Sequence, residues 1–241
     1  MSVVARAPAR RRVADTVLRA GRRVVAHFWL KSLGTTAIMT VFFIAYFHLL
    51  RHPDGPVTTM PLTAVDRWIG FQPWALPIYL SLWFYVCLPP TLMVSRGELV
   101  RFGLGISAVC LVGLGVFALW PTQVPSMAAN YAVHPDFRLL RGIDASGNAC
   151  PSLHVASAVF AACWFDRLLP RLGLGWRWRS LNALWCALIV YSTMAVKQHV
   201  LLDAVGGAPL GLGGAWLAQS RAARRAAIWL RSLPGVMGWR R

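Results

Sequence analysis

Cys150-Pro151-Ser152-Leu153-His154 ends a polar loop and opens an apolar run that continues to about position 169. A proline at or just before a helix's first turn loses no needed hydrogen bond, because that N–H has no intrahelical partner. Ser152 then stands at the N-cap, and His154 points from the first turn. Free N–H groups and the positive end of the helix dipole suit such a helix start to an anion. A second stretch, Lys197-Gln198-His199-Val200-Leu201-Leu202-Asp203, places an acid four residues after a histidine. In a helix the two share one face. Two histidines, a carboxylate, a lysine and a helix start together point to phosphoryl chemistry.

Outside these stretches the chain is mostly apolar. Hydrophobic residues make up 57% of its 241 positions and charged residues 14%, with a mean hydropathy of +0.53. A soluble domain rarely has that balance, and the apolar residues fall in blocks of membrane-spanning length. The expected fold is all-α, an integral membrane bundle of six transmembrane helices. They are placed at about 31–50, 73–93, 102–120, 152–169, 181–196 and 200–219, with Pro89-Pro90 kinking or ending the second. Residues 1–30 and 220–241 are expected to be basic amphipathic surface segments flanking a catalytic domain at 31–219.

The net charge of +17 is not spread evenly. Arginines gather at both termini, in the turn with Arg96 and Arg101, and in the loop with Arg167, Arg171, Arg177 and Arg179. Six spans put all four stretches on one side of the membrane, which the positive-inside rule makes the cytoplasm. Both termini are then cytoplasmic, in the inner (plasma) membrane. The loop before His154 and the turn at His199 both face the periplasm or exterior. This distribution argues for membrane lipids as partners and against nucleic acid.

The five cysteines lack metal-ligand spacing, so neither a metal nor a cofactor is expected. Cys87, Cys110, Cys163 and Cys186 lie in apolar runs and read as core residues, and Cys150 reads as packing beside the site. His27, His48 and His52 read as interfacial. Gly206, Gly207, Gly211, Gly213 and Gly214 read as helix-packing residues. The longest loop, 121–151, holds His134, Arg138 and Arg141, and loops of such length are often functional.

Pro151-Ser152-Leu153-His154 and His199-x-x-x-Asp203 resemble the second and third signatures of the type 2 phosphatidic acid phosphatase superfamily. The Pro-Ser-Leu-His form with Lys-Gln-His is most similar to the branch that includes inositol phosphorylceramide synthase-like proteins. The similarity spans the six-span core. It implies a lipid phosphatase acting on a lipid phosphate or diphosphate at an outward-facing site. His199 would attack phosphorus and form a phosphohistidine. Asp203 would fix the tautomer of His199, and His154 would protonate the leaving group and then activate water. Ser152 and Lys197 would hold and neutralise the phosphate oxygens, without a metal.

Two departures accompany the resemblance. The Ser-Arg pair that usually precedes the histidine is Ser192-Thr193 here, with Lys197 standing in for the arginine as a point charge. The first signature, a lysine followed by Arg-Pro, is absent from the long loop, where Arg138 and Arg141 are the candidate replacements. Two other readings stay open. One is a phosphotransferase that moves a phospho-headgroup to an alcohol. The other is a non-catalytic membrane binding protein or transporter.

Overall fold

In the computed structural model, which describes residues 21–125, Phe137, residues 147–220, and Ala222, Ala223 and Arg225, the apolar runs fold as helices. The first, α1 (Phe28–Arg51), has no buried residue and packs against α6 (Arg96–Leu119). Between them lie α2 (Ala64–Ile69), a 3-10 turn (Pro73–Ala75), α3 (Leu76–Leu80), α4 (Leu82–Tyr85) and α5 (Leu88–Leu92). Prolines explain this fragmentation. Pro73, Pro77 and Pro89 each stand at the first or second position of a new short helix, where a missing N–H costs nothing. After α6 come α7 (Leu153–Leu168), a 3-10 turn (Pro170–Leu172), α8 (Trp176–Ala195) and α9 (Leu201–Gln219).

Among the described residues, three helices are long and apolar enough to cross a membrane: α1, α6 and α9. The other three expected spans are helical but different in kind. The stretch at 73–93 is the broken series just described, and α7 has only 16 residues. The first turns of α8 carry Trp176, Arg177, Trp178, Arg179 and Asn182. Of the basic terminal segments, residues 1–20, Arg221, Arg224 and residues 226–241 lie outside the described residues. The described end of the first segment is tied to the C-terminal end of α5. There Lys31 Nζ donates to the carbonyls of Arg23 and Thr91, each at 2.7 Å.

The core forms where α6, α7 and α9 meet. Phe102, Val109 and Phe117 of α6 interlock with Leu153, Ala156, Phe160 and Trp164 of α7 and Ala215 of α9. Two helices can approach this closely only over small residues. A Cβ on Gly207 would collide with the Ser152 carbonyl, one on Gly211 with the Ala156 carbonyl, and one on Gly214 with Val109. Gly206 lies against Pro151 and Cys150, whereas Gly213 faces open space. The packing reading therefore holds for four of the five glycines and fails for Gly213.

Two smaller features aim the site. A two-residue parallel pairing sets β1 (Thr58–Thr59) beside β2 (Thr122–Gln123). Buried Thr122 then accepts hydrogen bonds at Oγ1 from the N–H groups of Ala149 (3.1 Å) and Cys150 (2.8 Å), which fixes the approach to Ser152. A second apolar cluster joins Ile69, Leu76 and Tyr79 to Met194 and Val196, with Phe137 of the long loop buried among them.

The glycine seam makes a sharp prediction. Gly207→Ala should destabilise the protein by about 1–3 kcal/mol, because the carbonyl it meets is backbone and cannot turn aside. Gly213→Ala should leave stability unchanged or slightly raised. Thermal unfolding of the detergent-purified variants reads both, and equal losses would rule the seam out.

Candidate active site

The site begins with two helix starts held together. Ser152 has extended backbone angles, and its Oγ accepts from the Val155 N–H at 3.2 Å, which makes it the N-cap of α7. Its own N–H donates to the Asp203 carbonyl at 2.9 Å. Asp203, in the first turn of α9, accepts at Oδ2 from the Val200 N–H, also at 2.9 Å. Helix starts leave N–H groups without intrahelical partners, and here one of them is satisfied across the helix pair. Ser152 and Asp203 are both fully buried.

This junction brings the two histidines face to face. His154 Nδ1 lies 3.1 Å from His199 Nε2. Behind His199, Nδ1 lies 3.5 Å from Asp203 Oδ2, a close contact rather than a hydrogen bond. Catalytic contacts often tighten only when substrate is bound. On the far side, His154 Nε2 lies 2.8 Å from the Tyr79 hydroxyl. A carboxylate only accepts, so the proton of His199 is assigned to Nδ1 and its Nε2 keeps a lone pair. His154 then donates from Nδ1 and accepts at Nε2 from Tyr79. Four groups stand in one ordered row, Tyr79–His154–His199–Asp203. The ring of Tyr79 at 5.0 Å and the edge of Trp83 at 6.4 Å pack around the His154 imidazole.

The turn carrying His199 is built by its neighbours. Lys197 adopts a left-handed backbone conformation (φ 60°), which reverses the chain after α8. The Thr193 carbonyl then accepts from the N–H groups of Gln198 and His199, each at 3.1 Å. The hydroxyls of Ser192 and Thr193 are spent on carbonyls one turn back in α8. Of the pair at the Ser-Arg position, Thr193 thus supports His199 through its backbone carbonyl.

Lys197 is buried, and its Nζ donates to the Asp66 carbonyl at 2.7 Å. Burial pulls its ammonium below the usual lysine value, with the charge of Asp66 opposing. An ammonium has three donors, so this carbonyl does not exhaust it. Buried Asp66 also accepts at Oδ1 from the Leu201 N–H (2.8 Å) and at Oδ2 from the Thr63 N–H (2.8 Å) and hydroxyl (2.7 Å). It therefore pins α2 to the start of α9.

Arg138, Arg141 and His134 lie outside the described residues. Burial, and after it the charge of Asp203, pushes the Cys150 thiol up to about 11, so near neutral pH it packs as a thiol. Among the described residues, no group of three or more His, Cys, Asp or Glu side chains is placed to hold a metal ion. Sequence reasoning missed Tyr79 and Asp66. Tyr79 sits in an apolar run and carries no charge to mark it. Asp66 did leave a sign, because Thr63-x-x-Asp66 is a capping-box spacing.

A family model described as PAP2 superfamily matches residues 61–217, a stretch that contains Asp66, Tyr79, His154, His199 and Asp203. No curated protein and no solved structure matches the chain.

The Asp66 junction is open to test. Asp66→Ala strands the Leu201 N–H and should cost roughly 1–3 kcal/mol in unfolding free energy. Asp66→Asn keeps one acceptor and should recover part of that loss. Chemical denaturation of both variants in detergent checks the order, and a neutral Asp66→Ala would refute the structural role.

Proposed function

The chain belongs to the PAP2 superfamily, and from that premise we propose that it is a membrane-embedded lipid phosphatase working through a phosphohistidine. Membership supports phosphatase or phosphotransferase chemistry in general. The observation that carries the finer reading is the 3.1 Å contact between His154 Nδ1 and His199 Nε2, with Asp203 behind the second ring.

The phosphoryl group enters between the two imidazoles and replaces that contact. His199 Nε2 bonds to phosphorus as the ester P–O bond breaks, and the departing oxygen takes a proton from His154 Nδ1. Water then attacks phosphorus, gives its proton to His154, and releases His199 as the N–P bond breaks. Asp203 stabilises the charge that His199 acquires. His154 must hold two protons before the first transfer and one after it. Tyr79 serves both states by accepting from Nε2–H, while in the resting row the same hydroxyl donates to bare Nε2. Ser152, Lys197, Arg138 and Arg141 supply donors and positive charge to the phosphate oxygens. The scheme calls on no metal.

The lipid substrate, a phosphate or diphosphate, is reached from the outer leaflet in a six-crossing arrangement. The crossings are α1, the broken stretch of α3 to α5, α6, α7, α8 and α9, in the plasma membrane with both termini cytoplasmic. The Pro-Ser-Leu-His and Lys-Gln-His forms favour a second reading, transfer of the phospho-headgroup to an alcohol instead of water.

Phosphate release from a panel of lipid phosphates by detergent-purified protein tests the proposal. His199→Ala should abolish release, and His154→Ala and Asp203→Asn should each lower kcat by roughly 10²–10⁴-fold. Turnover that needs an added alcohol would establish transfer. Equal release by the parent and His199→Ala would overturn the mechanism.

A further inference from the structure

The opposite ends of α7 and α9 meet the start of α6 around a second polar chamber. His154 and Arg167 lie at the two ends of α7, about 20 Å apart at the helical rise per residue. The chamber encloses about 100 Å³ and is lined by Glu98 and Arg101 of α6, Trp164 and Arg167 of α7, Arg171 and Gln219. Three guanidinium groups face one carboxylate there, so positive charge is in excess. Glu98 is engaged by Arg171, and Arg167 donates to Gln219 Oε1 at 2.7 Å.

What marks the chamber as built for a guest is its unspent donors. Trp164 is only 4% exposed, and its indole Nε1–H has no hydrogen-bond partner among the described residues. The Gln219 amide nitrogen, held with its oxygen turned to Arg167, is also without a partner among them. A buried donor left unmade costs about 1–3 kcal/mol, and two around one chamber imply a ligand that accepts. Helix dipoles account for Arg167, in the C-terminal turn of α7, and for Arg171, just beyond it. They give no such reason for Arg101, which lies near the N-terminal end of α6.

We propose that this chamber is a second anion site that takes a tetrahedral phosphate group, separate from the histidine site. A phosphate offers several acceptors to donors converging from three helices, and guanidinium groups match its oxygens in pairs. The group arrives either as free phosphate or as the headgroup of an anionic lipid in the adjacent leaflet.

The test uses full-length protein carrying His154→Ala and His199→Ala, so that phosphate handling at the histidine site is crippled. Inorganic phosphate is titrated by calorimetry in detergent. Separately, retention of phosphatidylglycerol is read by native mass spectrometry after reconstitution in vesicles of equal parts phosphatidylcholine and phosphatidylglycerol. Trp164→Phe removes one donor and keeps the ring; Arg101→Gln removes the charge and leaves the core intact. Phosphate binding that each variant weakens roughly tenfold identifies a free-anion site. Absent phosphate binding, with lipid retention that falls in each variant, identifies a headgroup site. If neither ligand responds to either substitution, the chamber holds water alone and the proposal is overturned. Thermal unfolding of each variant confirms folding, and Arg101→Gln decides alone should Trp164→Phe fail to fold.

Discussion

The hydrogen bond from the Ser152 N–H to the Asp203 carbonyl is the joint on which the site depends. Both groups are fully buried, and a buried peptide N–H without a partner is costly. The bond can form only if the backbones of α7 and α9 nearly touch, which Gly207 and Gly211 permit by carrying no side chain against the Ser152 and Ala156 carbonyls. Once the joint closes, His154 and His199, 45 residues apart in sequence, have no choice but to meet. Catalytic geometry here is a by-product of satisfying a helix start.

Two buried carboxylates finish that helix start. Asp203 takes the Val200 N–H and Asp66 takes the Leu201 N–H, so consecutive orphan donors of α9 are each met by an acid. Acids at a helix N-terminus also lie in a favourable dipole field. Asp66 in turn brings Lys197 to its carbonyl, which holds a cation beside the histidine turn. The residues that terminate the helix are therefore the residues that charge the site. Stability and chemistry are coupled, and substitutions at Asp66 or Asp203 must be read for both.

The parts of this arrangement that were legible in the sequence are those with fixed local spacing. Pro151-Ser152 announces a helix start, and His199 with Asp203 share a face because a helix repeats every 3.6 residues. Pro-rich 73–92 betrays a break in an apolar run, yet the number of short helices it yields depends on neighbours that no local pattern encodes. Tyr79 was invisible for the same reason. Its hydroxyl matters because α3 packs where His154 Nε2 can reach it, a tertiary fact. The Ser192-Thr193 pair shows the opposite hazard. As side chains the two bond only within α8, and the contribution of Thr193 to His199 is made by a carbonyl that any residue would carry.

The ends of α7 and α9 divide polar function between them. At the start of α9, the Val200 and Leu201 N–H groups are each met by an acid, and Lys197 is a cation held close to the histidines. At the finish of α7, Arg167 in the last turn and Arg171 just beyond it lie where the dipole favours cations, so they need no ligand to justify their place. The same physics does not account for the indole N–H of Trp164 or the Gln219 amide N–H, which have no hydrogen-bond partner among the described residues. Buried donors left over beside a partly open, positively charged chamber read as the unfilled half of an interaction rather than as slack in the packing.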